Sequence, residues 1–176
     1  MVWQGKPITP DLRLAPNFTF GELTHTTHRE LLEDNRRIAA EFIGALAETA
    51  QLIQQVRDRW GALRVLSGFR SGQLNAAVQG NIRSQHCKAQ AVDFRLVDYK
   101  SRPLREVFDW IRLESGLSYG QVILEGRAND PGYIGPFGWI HLSLGAPFRD
   151  RSRSFQALTW SEADGFKRVA SSGVSR

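Results

Sequence analysis

Two short stretches limit what this chain can be more than any others do: Ser84-Gln85-His86-Cys87-Lys88-Ala89-Gln90-Ala91-Val92-Asp93-Phe94 and, further on, Gly138-Trp139-Ile140-His141-Leu142-Ser143. Ala91-Val92-Asp93-Phe94 reads as a strand, and strand side chains alternate faces, so Asp93 goes with Ala91 and away from Val92 and Phe94. The same period puts Ile140, Leu142 and Leu144 on one side and Trp139, His141 and Ser143 on the other. If the two strands are neighbours, His141 shares the Asp93 side. His86, seven residues before Asp93, falls in the loop entering the first strand, from where its imidazole can reach the same face.

Two nitrogens and one oxygen are a ligand set for zinc. Catalytic zinc is usually held by three such protein ligands with a fourth position left open, whereas structural sites close all four and favour cysteine. Each histidine by itself would be read as a hydrogen-bonded core residue. The joint placement of His86, Asp93 and His141 points instead to a catalytic metal site. The only cysteine, Cys87, has no second cysteine at zinc-finger spacing and is read neither as ligand nor as nucleophile.

The pattern Ser84-x-His86, Ala91-x-Asp93 and Trp139-x-His141 resembles the zinc D-Ala-D-Ala carboxypeptidase family, which shares the hedgehog-like DD-peptidase fold and includes phage endolysins. The family's metal ligands fall on His86, Asp93 and His141. Ala89 stands where the family usually has glycine, and an L-residue there argues against a left-handed turn. Ser67-Gly68-Phe69-Arg70-Ser71 matches the family's Ser-Gly-Tyr/Phe-Arg-Ser run, whose arginine binds or polarises substrate, so the resemblance gives Arg70 that role and makes Ser84 a substrate-binding residue. Some relatives carry the general base three residues before the last histidine, where this chain has Gly138. Phage-type relatives have a Gln-x-Ile-x-Glu strand instead, which assigns the base to Glu125. The resemblance implies an α+β fold, a small central antiparallel sheet with helices on one face, and one zinc ion per chain.

A length of 176 residues fits a single domain, with about 1–13 and 170–176 expected to be extended or disordered. No run is long and apolar enough to span a bilayer. The start, Met1-Val2-Trp3-Gln4-Gly5-Lys6-Pro7, lacks the basic and apolar regions of a secretory signal, so the chain is expected to reach the cell wall or periplasm by phage release or another export route. The net charge of +5 favours anionic surfaces, but the basic residues are scattered apart from Arg149, Arg151 and Arg153, and no nucleic-acid signature accompanies them. The expected partners are peptidoglycan stem peptides, met by a monomer.

Along the chain, Thr19 and Glu22 stand at capping-box spacing before a short helix near Phe20. His25 and His28 lack a nearby carboxylate or cysteine in a metal pattern and read as surface histidines. From Arg36 to Trp60 the apolar residues recur every three or four, predicting one long helix ended by Gly61. Leu63–Ser67 reads as a strand and Gln73–Val78 as a short helix. Pro103 opens a helix capped by Ser101, with Leu104, Val107, Phe108, Ile111 and Leu113 on its apolar face. Gln121–Glu125 is the next strand, 126–137 a loop that rims a cleft, and a last strand surrounds Phe155–Trp160.

The expected function is therefore zinc-dependent hydrolysis of peptide bonds in peptidoglycan stem peptides or cross-links, as a D-Ala-D-Ala carboxypeptidase or an L-Ala-D-Glu-type endopeptidase, with a phage lysin as one form of it. The alternative is a zinc-containing wall-binding module of the same fold that does not cleave. A zinc deaminase is excluded, because the chain has a single cysteine and lacks the paired cysteines of that chemistry.

Overall fold

The computed structural model describes residues 1–100, 103–127, 137–145, 156–161 and 165–169. Ser101, Arg149, Arg151, Arg153, the 128–136 part of the expected cleft loop and the expected disordered tail lie outside the described residues. Val2–Trp3 (β1) pairs antiparallel with Lys6–Pro7 (β2) around Gln4 and Gly5, both at positive φ, the turn geometry that suits the twist of paired strands. Arg13–Ala15 (β3) pairs in turn with Phe18–Thr19 (β4). Thr19 then caps Phe20–Leu23 (α1): its hydroxyl accepts from the Glu22 amide at 3.2 Å while the Glu22 carboxylate accepts from the Thr19 amide at 2.8 Å. Two of the donors that a helix start leaves without partners are thereby satisfied.

The long helix expected from Arg36 to Trp60 is two helices, Leu32–Ala39 (α2) and Ile43–Trp60 (α3), joined by a 3₁₀ turn over Ala40–Phe42. The apolar period survives such a turn because only the hydrogen-bond partner changes, from four residues back to three. At the junction the Phe42 ring lies tilted on Phe69, 5.5 Å between centroids. Along α3, Leu46, Ala50, Ile53 and Val56 are at most 1 % exposed, the three-to-four spacing of a buried stripe. Gly61 ends the helix at φ 89°.

The chain next forms Leu63–Ser67 (β5), Gly72–Ala77 (α4), a 3₁₀ turn over Gln85–Lys88 and Ala91–Leu96 (β6). Leu104–Leu113 (α5) follows, with Leu104, Val107, Phe108 and Ile111 buried. Fully burying one such side chain stabilises the fold by about 1.5–3 kcal/mol. The remaining strands are Tyr119–Gly126 (β7), Gly138–Leu144 (β8), Gln156–Ser161 (β9) and Gly165–Arg168 (β10). The described fold is mixed α and β, as expected, and among the described residues no helix is long and apolar enough to cross a membrane.

Six strands form one sheet in the order β10-β9-β7-β8-β6-β5. It was expected to be antiparallel, and β7–β8 and β9–β10 are, but β7 and β9 run parallel. The reason is topological. β8 finishes at Leu144, opposite Tyr119 at the start of β7, and β9 begins at Gln156 beside Gln121, close to that same end. A strand that enters there and flanks β7 must point the way β7 does. The chain falls into two compact units, Met1–Gln55 with Val65–Val92, and Val56–Arg64 with the chain from Asp93 onward, so β5 and β6 each run from one into the other. In the second unit α5 packs on β7 and β8.

Candidate metal centre

His86 sits in the 3₁₀ turn that opens at Ser84, and its ring is 3 % exposed. Its Nδ1 lies 2.7 Å from the Gly68 carbonyl oxygen. A carbonyl only accepts, so Nδ1 carries the proton and the lone pair is left on Nε2, the way metal-ligating histidines are usually oriented. Gly68 therefore matters to the site although only its motif was legible in the sequence. A Cβ on Gly68 would run into the Leu23 carbonyl oxygen, which itself accepts from the Phe69 amide at 2.7 Å, so alanine there must displace the backbone that holds His86. Gly68→Ala is expected to weaken zinc binding by roughly 10–100-fold, the usual cost of losing an outer-sphere partner. Chelator competition measures it, and an unchanged zinc affinity would separate this carbonyl from the site.

The turn closes on Ala89 at φ 56° and ψ 25°, a left-handed conformation. This corrects the expectation that an L-residue would avoid one. Alanine pays about 1–2 kcal/mol there, and three hydrogen bonds hold it: the Ala89 amide to the His86 carbonyl at 3.1 Å, the Gln90 amide to the Gln85 carbonyl at 3.1 Å, and the Thr49 hydroxyl on α3 to the Ala89 carbonyl at 2.8 Å. At about 0.5–1.5 kcal/mol net for each bond, they offset the strain. The methyl is fully buried. Thr49 is 1 % exposed on α3, and its role depends on a partner forty residues away, which helical periodicity does not reveal.

Asp93 on β6 and His141 on β8 stand on adjacent strands of the sheet, as the alternation argument required. Both are 8 % exposed, and His141 Nδ1 lies 2.8 Å from Asp93 Oδ1. Burying a carboxylate is costly unless it is paired, so this contact accounts for an acid side chain in the middle of a covered strand. One ligand atom from each of His86, Asp93 and His141 lies within 4.8 Å of the others, and this is the one such His/Cys/Asp/Glu cluster among the described residues. Two imidazole nitrogens and a carboxylate oxygen at this spacing fit zinc, which takes such ligands at about 2.0–2.2 Å.

The other predicted residues separate. Cys87 is half-buried and not in the cluster; burial pushes its thiol up, with the Arg70 guanidinium pulling the other way, so it is no ready thiolate. His25 is exposed and His28 Nδ1 lies 3.3 Å from Glu30, again away from the cluster. Arg70 donates its amide to the His86 carbonyl at 3.2 Å and its Nε–H to the Ser67 hydroxyl at 2.7 Å, which ties it to the turn that carries His86. Ser84 is half-buried at the head of that turn and makes no side-chain capping bond.

Glu125 is placed by register. Ile123 is opposite His141 and Glu125 opposite Trp139, and directly opposed residues share a face. Glu125 thus stands on the His141 face, one diagonal step along, a separation of about 7–8 Å in such ladders. The register shifts only upstream of these pairs: Tyr119 pairs with Leu144 and Val122 with Leu142, leaving one extra residue on β7 opposite Ser143. There the Ser143 hydroxyl accepts from the Gln121 amide at 2.9 Å, and the bulge keeps Tyr119 on the buried side with Val122. Strict alternation would have turned Tyr119 onto the site face. The family model described as Peptidase M15 matches residues 16–122, a segment that contains Arg70, Ser84, His86 and Asp93 and ends before Glu125 and His141. No curated protein matches the chain.

Proposed function

Because the chain belongs to the peptidase M15 family, whose members are zinc-dependent hydrolases, we propose that it hydrolyses peptide bonds in the stem peptides or cross-links of bacterial peptidoglycan. The observation that carries this reading is the buried His86, Asp93 and His141 cluster, three ligands and no fourth among the described residues, the donor number of a catalytic rather than a structural zinc. When bound, zinc polarises the scissile carbonyl and acidifies the attacking water. His86 offers Nε2 because Gly68 occupies Nδ1, Asp93 offers an oxygen and His141 a nitrogen.

Glu125 is the general base: it lies on the His141 face of β7 and takes the proton of the attacking water before returning it to the leaving amine. Arg70 orients the substrate carboxylate or stabilises the developing oxyanion, for which a planar guanidinium with several donors is suited. Ser84, at the head of the metal turn, contacts the peptide. The stem peptide carries free carboxylates, and the positive balance of the chain attracts anionic wall polymers. Either a carboxypeptidase acting on a terminal D-Ala-D-Ala or an endopeptidase acting on L-Ala-D-Glu fits these residues, and a phage lysin is the biological setting proposed.

Incubation of the protein with purified sacculi, followed by mass spectrometry of the soluble fraction, tests the reading. Released stem peptides or free D-alanine, abolished by chelation and restored by zinc, are expected, and the mass of the product names the bond. Binding to sacculi without any release from zinc-loaded protein would reject hydrolysis in favour of a wall-binding module.

A further inference from the structure

Asn35 is a polar side chain at 0 % exposure in the middle of α2, a position where a buried amide is costly unless all its groups are paired. They are. Its Nδ2 donates to the Thr24 carbonyl at 3.0 Å and to the Phe69 carbonyl at 3.2 Å, and its Oδ1 accepts from the Ser71 amide at 2.7 Å. Phe69 and Ser71 are the two residues that flank Arg70. One side chain thus grips the backbone immediately before and immediately after Arg70, and ties it through Thr24 to the end of α1.

The grip continues toward the metal turn. Arg70 donates its amide to the His86 carbonyl at 3.2 Å, and its Nε–H goes to the Ser67 hydroxyl. Ser71, fixed by Asn35, caps α4 by accepting from the Leu74 amide at 3.2 Å. The amide suits this place because it combines two donors and an acceptor at one planar end; a carboxylate would face two carbonyls with no proton, and an apolar residue would leave three backbone groups without partners.

We propose that Asn35 is a positioning residue for the reaction, acting through Arg70: it holds the backbone on both sides of that arginine and so sets where the guanidinium meets substrate. The inference rests on the role given to Arg70 above. A side chain held by two backbone anchors keeps its geometry without substrate, and misplacement by as little as 1 Å can cost a hundredfold in rate.

The test is a double-mutant cycle on peptide release from purified sacculi, with Asn35→Ala, Arg70→Ala and the double variant compared at matched zinc occupancy and below their melting temperatures. Asn35→Ala is expected to lower turnover about tenfold or more in the parent and to have almost no further effect beside Arg70→Ala, since coupled residues are not additive. Asn35→Ser, uncharged and still able to hydrogen-bond from this position, replaces alanine in the cycle if Asn35→Ala does not fold. Asn35 losses that multiply with those of Arg70→Ala would overturn the proposal while leaving the Arg70 reading intact. Wild-type turnover by Arg70→Ala would overturn both, and wild-type turnover by a folded Asn35 variant would overturn the positioning role alone.

Discussion

His141→Ala and His86→Ala are each expected to lose the zinc of the parent, about one ion per chain, and with it essentially all peptide release. The metal supplies several kcal/mol of transition-state stabilisation, and at about 1.4 kcal/mol per factor of ten its loss lowers the rate roughly a thousandfold or more. The two variants should differ in stability. His141→Ala removes the 2.8 Å contact of Asp93, which is 8 % exposed, with His141 Nδ1, and a hydrogen bond to a charged group contributes about 1.5–3 kcal/mol. His86→Ala removes a contact with a neutral acceptor, the Gly68 carbonyl, and such a bond contributes about 0.5–1.5 kcal/mol. The melting temperature of His141→Ala should therefore fall further. Elemental analysis decides the ligand question, since full zinc occupancy in both variants would show that the ion is held elsewhere.

Glu125→Gln should separate catalysis from metal binding. The substitution keeps the shape of the side chain and its place opposite Trp139 on β7 but removes the group that accepts a proton. General-base catalysis contributes about 10²–10⁴-fold, so a rate loss of that size is expected with zinc content and melting temperature nearly unchanged. Wild-type release by Glu125→Gln would remove Glu125 from the mechanism. The two experiments together distinguish a missing metal from a missing base, because the first abolishes zinc and activity together and the second lowers activity with the zinc in place.

How much of this was legible beforehand follows from the range of each interaction. The Thr19–Glu22 capping box, the Leu63–Ser67 strand and the apolar face of α5 were readable because their causes lie within a few residues of one another. The alternation of Ala91–Phe94 and Trp139–Leu144 likewise put Asp93 and His141 on definable faces, and the strand order made those faces one. The 3₁₀ turn at Ala40–Phe42 was invisible because both helical types keep an apolar stripe.

What the sequence determined by itself is the donor set: which side chains offer ligand atoms to a metal, which carboxylate shares a face with His141, and which periodicity makes each element. These follow from residue type and short-range geometry. What only the tertiary structure decided is how that set is held. Ala89 keeps a left-handed turn because Thr49, forty residues earlier, takes its carbonyl; His86 has its tautomer fixed by Gly68, eighteen residues earlier; Arg70 is gripped on both sides by Asn35, more than thirty residues away; and β9 runs parallel to β7 because of where β8 ends. Each is a contact between residues far apart in the chain, and a pattern read along a sequence carries no distance between them.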